Sequence, residues 1–229
     1  MPEVQITWLG HASLRIDTPG GKRVYVDPYL ENPKCPEKEK QPERIDILAL
    51  THGHSDHAGS ALDLIRQFSP AVVAQVEVQN WLGRKGADIG EIPGINKGGT
   101  REIDGIGFTM TDARHSSGGD DGEYLGESAG FVLTCENGTR IYIAGDTSVF
   151  MDMQLIGRIY EPDLAILPIG DHFTMGPREA AVALELLAVE RCMPYHYGTF
   201  PILSGTPDEL RQLTKVQLLV PEPGETITV

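Results

Sequence analysis

Residues 51–59 read THGHSDHAG and place three histidines and one aspartate within six positions, His52, His54, Asp56 and His57. Imidazole nitrogens and carboxylate oxygens are the ligands preferred by zinc and similar divalent ions. On an extended loop, positions 52 and 54 point to the same side and can share one ion. Asp56 and His57, where the chain turns into a helix, can reach a second ion nearby. Two ions need more ligands than this cluster holds. The other candidates are His115, Asp146 in AGDTS, where Gly145 permits close backbone approach, and His196 in PYHYG, each at or just beyond a predicted strand end. A single carboxylate commonly bridges two ions, and Asp146 is the candidate bridge. Taken alone, each residue has a plainer reading: a histidine after a strand is usually a hydrogen-bonded surface group, and Asp146 could cap a helix. The joint pattern H-x-H-x-D-H with His, Asp and His following in order favours the metal reading.

Short β-type runs position these groups. Residues 4–8, 13–17 and 23–27 read as an antiparallel meander, with a turn at Pro19-Gly20-Gly21. Residues 45–50 (IDILAL) are almost wholly apolar, as in a strand covered on both faces. Apolar residues at helical spacing predict a helix over 56–68, capped by Ser55 or Asp56, and a short buried strand follows at 71–74. Further strands are expected at 106–111, 129–135, 140–144 and 164–169, and helices near 151–160, 177–190 and 207–213. Glu136-Asn137-Gly138 turns a hairpin. Residues 31–44 and 114–130 read as mobile loops. Two successive sets of strands followed by helices suggest an α/β fold, a four-layer αβ/βα sandwich of two mixed sheets with helices outside, in one domain over residues 1–229.

Composition narrows the function classes. With 40% hydrophobic and 23% charged residues, the chain has the balance of a soluble globular protein. No apolar run approaches the roughly 18 residues that a membrane span needs. The start, Met1-Pro2-Glu3-Val4, lacks a signal-peptide pattern. Three scattered cysteines, Cys35, Cys135 and Cys192, fit a reducing compartment, so a cytoplasmic location is expected. A net charge of −14 argues against nucleic acid as a partner, because phosphate backbones are held by lysine and arginine.

The set His52, His54, Asp56, His57, His115, Asp146 and His196 resembles the five-motif signature of the metallo-β-lactamase superfamily across essentially the whole chain. WLGHAS (8–13), VDPY (26–29), AGDT (144–147) and PIGDHFTMGP (168–177) resemble, more narrowly, uncharacterised metal-dependent hydrolases related to the L-ascorbate-6-phosphate lactonase branch. The resemblance implies the αββα sandwich. It puts His52, His54 and His115 on the first ion and Asp56, His57 and His196 on the second, with Asp146 bridging. It implies two divalent ions, zinc first, with manganese or iron as alternatives. Diiron relatives that reduce oxygen or nitric oxide carry Glu where this chain has His54, which argues against a redox role. The resemblance leaves room for a homo-oligomer.

Two histidines remain. His11, in GHAS, is either a turn residue or a group close to the metal site; His172, in GDHFTMGP, either donates a proton to substrate or leaving group, or forms a local turn with Asp171. Asp56, His172 and His11 are accordingly the candidates for catalytic roles. Asp27 either caps its loop or accepts a proton from a ligand histidine. Two ions about 3.5–4 Å apart can bind a bridging water and lower its pKa towards 7. No serine or cysteine sits in a nucleophile setting, so the expected reaction is one-step hydrolysis by a hydroxide bridging two ions. The expected target is an ester-like bond (lactone, carboxylic ester or phosphodiester) in a small molecule. The alternatives are an RNA or phosphodiester nuclease, and a metal-dependent binding module without turnover.

Overall fold

The computed structural model describes residues 3–229. In chain order the first half gives β1 (Gln5–Trp8), β2 (Leu14–Asp17), β3 (Arg23–Val26), β4 (Ile47–Ala49), α1 (Ser55–Ala58), α2 (Ala61–Phe68), β5 (Ala71–Val73) and α3 (Val76–Arg84). The second half gives β6 (Thr100–Ile103), β7 (Ile106–Gly118), β8 (Tyr124–Thr134), β9 (Arg140–Ile143), α4 (Met153–Tyr160), β10 (Leu164–Pro168), α5 (Pro177–Leu187), β11 (Arg191–Tyr195), α6 (Pro207–Leu213), β12 (Gln217–Leu218) and β13 (Thr226–Thr228).

Two mixed sheets result. One has six strands in the order β13-β1-β2-β3-β4-β5, and the other has seven in the order β12-β11-β10-β9-β8-β7-β6. In each, an antiparallel section passes into parallel strands: β3–β4–β5 in the first and β9–β10–β11–β12 in the second. β4 and β10 are buried along their whole length, as parallel strands covered on both faces should be. β2 alternates buried and half-buried residues, the period of a strand with one wetter face.

Three apolar clusters define the layers. Ile6, Val24 and Ile47 from one sheet meet Phe108, Phe131 and Ile166 from the other in the central core. Leu48 and Val72 pack with Ala61, Ile65 and Trp81 beneath α2 and α3. Ala165 and Cys192 pack with Ile156, Leu184 and Leu210 beneath α4, α5 and α6. Helix, sheet, sheet, helix is the αβ/βα sandwich expected from the strand and helix pattern.

Four details depart from expectation. The helix predicted over 56–68 breaks into α1 and α2 at Gly59–Ser60. There the Ser60 N–H donates to the Pro28 carbonyl and its hydroxyl accepts from the Leu30 N–H, so docking on the neighbouring loop interrupts the run. Neither Ser55 nor Asp56 caps α1; its N-cap is His54, which makes no side-chain cap bond. The loop predicted over 114–130 is largely the bulged continuation of β7 and β8, with register shifts between Asp112 and Ser116 and again between Ser116 and Gly118. Residues 31–44 lie outside regular strands but are anchored: the Asn32 side-chain amide donates to the Leu9 and Tyr29 carbonyls, and Glu39 pairs with Arg15.

The close approach of α4 and α5 depends on Gly157, where an added Cβ would lie 2.2 Å from the Leu187 carbonyl oxygen. Alanine is favoured over glycine inside a helix by about 1 kcal/mol. Overpacking against fixed backbone costs about 1–3 kcal/mol and wins here. Gly157→Ala is expected to lower the unfolding free energy by about 1 kcal/mol, read as a lower urea midpoint at unchanged slope; an unchanged or raised midpoint would show that the two helices separate freely.

Candidate metal centre

The ligand-type residues converge at the ends of strands from both sheets. β4 runs out at Ala49, and the chain leaves it through Thr51 to carry His52 and His54 before α1 presents Asp56 and His57. From the second sheet come His115 on β7, Asp146 just after β9 and His196 just after β11. His115 sits within the first register shift of β7, between Asp112 and Ser116, where a bulge re-aims a side chain out of the strict alternation. Gly145 is left-handed (φ 65°), and a Cβ there would lie 2.5 Å from the Ala129 carbonyl and 2.9 Å from the Thr51 side chain. Only glycine lets the second sheet approach the first this closely, and Asp146 is delivered by that approach.

Two groups form. His52 Nε2 and His54 Nδ1 are 3.0 Å apart, and His115 Nε2 lies 3.3 Å from the same His54 nitrogen. Asp56, His57, His196 and His11 form the second group, with one possible donor atom from each within 4.8 Å of the others. Asp146 stands between the groups. Its Oδ1 is 3.2 Å from His57 Nε2, while its Oδ2 is 3.2 Å from His196 Nε2 and 3.7 Å from His115 Nε2. All seven sequence-predicted ligands are thus brought together.

Neighbouring groups determine which imidazole nitrogen is left free. Asp27, fully buried at the end of β3, accepts from the Thr51 N–H at 2.8 Å and the Thr51 hydroxyl at 2.6 Å. Its Oδ2 also lies 2.9 Å from His57 Nδ1, so His57 directs Nε2 at Asp146. The Thr51 hydroxyl, its proton given to Asp27, accepts from His52 Nδ1 at 3.0 Å, which frees His52 Nε2. Carboxylate or hydroxyl partners on the far nitrogen are what orient metal-ligating histidines. Asp27 therefore takes the second of its two sequence readings. Thr51 and Ser117, whose hydroxyl accepts from the Gly53 N–H at 3.0 Å, were not singled out in the sequence. Their place beside the ligands on strand ends is the only signal they give.

Electrostatics point the same way. Burial works against charge on Asp146, but His196 and His57 override it and hold its carboxyl well below the usual range. Burial likewise opposes charge on His57, yet Asp146 and Asp27 on either side raise its pKa well above the ordinary value. Burial lowers His52, and it lowers His11 to about 4 despite the bond to Asp56. Burial also opposes the charge of Asp56, and the His11 hydrogen bond overcomes it and keeps the carboxyl ionised. Among the described residues, no lysine or arginine pairs with Asp27, Asp56 or Asp146. The buried atoms His57 Nε2, His196 Nε2 and Asp146 Oδ1 have no hydrogen-bond partner among the described residues. Orphaned nitrogen and oxygen atoms facing one another, in an anion-rich pocket without fixed cations, fit divalent metal ions.

Access is restricted. His52, His57 and His196 are fully buried and Asp146 is 2% exposed, whereas Asp56 is 34% and His115 15% exposed. Tyr29 and Phe200 flank the second group, their rings edge-on to His11 at 6.2 and 5.4 Å. His172 lies apart, in an exposed left-handed turn where its N–H donates to Asp171 and its ring meets Phe173. This is the local-turn alternative of its sequence reading. Of the tyrosines beside His196, Tyr195 is buried in the core and Tyr197 packs against Trp8 at 5.1 Å.

Known proteins are similar to this chain along its length. The profile of the family described as "Beta-lactamase superfamily domain" matches residues 22–197. A UPF0173 metal-dependent hydrolase of Roseiflexus sp. is 47% identical over 99% of this chain and 98% of its own length. One from Koribacter versatilis is 45% identical over 97% of each. Among solved structures, Igni18, a metallo hydrolase of the archaeon Ignicoccus hospitalis, superposes with a TM-score of 0.87 at 33% identity, covering 100% of this chain and 99% of that one. The αββα layers, the two convergent ligand groups and these full-length likenesses together mean that the chain belongs to the metallo-β-lactamase superfamily, in its group of metal-dependent hydrolases.

Proposed function

We propose that this enzyme hydrolyses an ester-like bond (lactone, carboxylic ester or phosphodiester) in a small molecule, using two divalent ions. The observation that carries the reading is the position of Asp146, whose two oxygens face ligand atoms of both groups at 3.2–3.7 Å. His52, His54 and His115 would hold one ion and Asp56, His57 and His196 the other, with Asp146 common to both. Held there, two divalent cations supply Lewis-acid polarisation and acidify a water, zinc being the first choice and manganese or iron the alternatives.

The chain's own residues do the rest. Asp27 and Thr51 keep the far nitrogens of His57 and His52 engaged, so their Nε2 atoms stay turned to the centre. Burial of His52, His57, His196 and Asp146 keeps bulk water from the back of the site, where low dielectric strengthens every charge interaction. A substrate enters from the side where Asp56, His54 and His115 reach solvent, past Tyr29 and Phe200. The partner implied is a small molecule, because the acidic surface offers no general grip on a nucleic acid.

A panel of chromogenic esters, lactones and bis-p-nitrophenyl phosphate tests the reaction. Treatment with EDTA should abolish turnover of the responsive substrate, and added Zn²⁺ or Mn²⁺ should restore it; turnover indifferent to chelation would rule out the mechanism. Asp146→Asn should lose the second ion by elemental analysis and reduce kcat by at least ~100-fold, the upper end of what loss of a supporting group costs at a metal site. Two ions and full turnover in that variant would exclude Asp146 as the shared ligand.

A further inference from the structure

Each buried ligand needs something to hold its orientation, and the partners found so far are uneven. His52 has Thr51 on its far nitrogen and His57 has Asp27. His196 Nδ1 has no hydrogen-bond partner among the described residues. Asp56 stands on the four-residue α1, and its single hydrogen bond among the described residues comes from His11. His196 and Asp56, both in the second group, thus have few partners of their own, and both meet His11.

His11 reaches them by two routes. Its ring Nε2 lies 3.1 Å from Asp56 Oδ2, the oxygen that is also 3.9 Å from His196 Nε2, and as the donor it fixes the rotation of that carboxylate. Its ring also faces the His196 ring, with centroids 4.0 Å apart. Its backbone carbonyl accepts from the His196 N–H at 2.9 Å and from the Trp8 indole at 2.9 Å. The turn that places it is specific: Gly10 and His11 are consecutive left-handed residues (φ 86° and 52°), closed by the Ser13 N–H donating to the Gly10 carbonyl at 3.0 Å. Left-handed backbone at a non-glycine residue is held only where its surroundings over-determine it. At 1% exposure His11 lies beneath Asp56 and out of a substrate's reach.

We propose that His11 is the positioning residue of the second metal position, orienting Asp56 through its ring and His196 through its carbonyl and ring face. The inference rests on the two-ion reading above. It assigns the β1–β2 turn a role in metal retention: the first sheet's opening turn governs whether the second ion stays.

Asparagine and glutamine substitutions separate this role from packing. Asparagine tolerates left-handed backbone but is too short to reach Asp56, whereas the glutamine side-chain amide nitrogen lies near the position of imidazole Nε2 and can donate to the same oxygen. The metal-stripped wild-type chain, His11→Asn and His11→Gln are titrated with Co²⁺, following its visible absorption and the metal retained after dialysis. Wild type should bind two Co²⁺. His11→Asn should keep the first and bind the second about 10–100-fold more weakly, the usual cost of losing an orienting group. His11→Gln should recover the second ion to within a few-fold, and all three metal-free proteins should melt alike. Undiminished second-site affinity in His11→Asn overturns the proposal. Equal loss of both ions in that variant, or a folded His11→Gln that loses the second ion as His11→Asn does, overturns it as well. A wild-type chain that binds one Co²⁺ sinks the two-ion reading itself and this inference with it.

Discussion

Three carboxylates, Asp27, Asp56 and Asp146, gather where the two sheets end, two of them buried to 2% or less, and no lysine or arginine among the described residues answers them. An unpaired buried charge is costly enough that a fold either neutralises it or supplies a counter-ion. Here the surroundings are imidazoles, and one of them, His57, lies between Asp27 and Asp146 as a bridge from the first sheet to the second. Much of the geometry follows from this concentration of negative charge. The orphaned ligand nitrogens, the glycine that brings Asp146 in and the solvent-shielded rear of the site all prepare one place for cations.

The backbone around that place is strained in a consistent way. His11, Asp27 and His196 all adopt left-handed φ, at 52°, 47° and 54°. Such conformations cost of order 1–3 kcal/mol each, and they cluster at functional sites because packing elsewhere sustains them. The three apolar layers sustain them here, and each strained residue stands in a turn leaving a strand that those layers hold. Stability in this fold is thus lent by the sandwich to its edge.

Much of this was legible in the residues. The H-x-H-x-D-H run and the three downstream ligands announce themselves by type, and Pro177 and Pro207 mark helix starts at the positions found. What escaped follows physical rules too. Strands β7 and β8 continue through Gly-, Ser- and Asp-rich sequence because bulges and buried partners replace the usual alternation, and composition then reads as loop. The break at Gly59–Ser60 depends on a contact with Pro28 and Leu30, invisible to local periodicity. β12 and β13, two and three residues long, carry too few positions to show a period and exist only through their partners. Thr51 looks ordinary in sequence, and His11 reads there as either a turn residue or a site residue; the part each plays is a matter of which atom faces which ligand.

The pairing of β13 with β1, Gln5 opposite Thr228, gives the sandwich a temporal property. Four of the seven ligand-type residues come from the 51–57 segment and three from residues 115–196, so a chain emerging from the ribosome exposes the first cluster before its complement exists. The edge of the first sheet closes by the longest-range strand pairing among the described residues. Contacts of such sequence separation are slow to form. During that interval the incomplete site can take up whichever divalent cation the surroundings supply. For ligands of these types, metal selection depends on which ions are supplied as well as on the pocket.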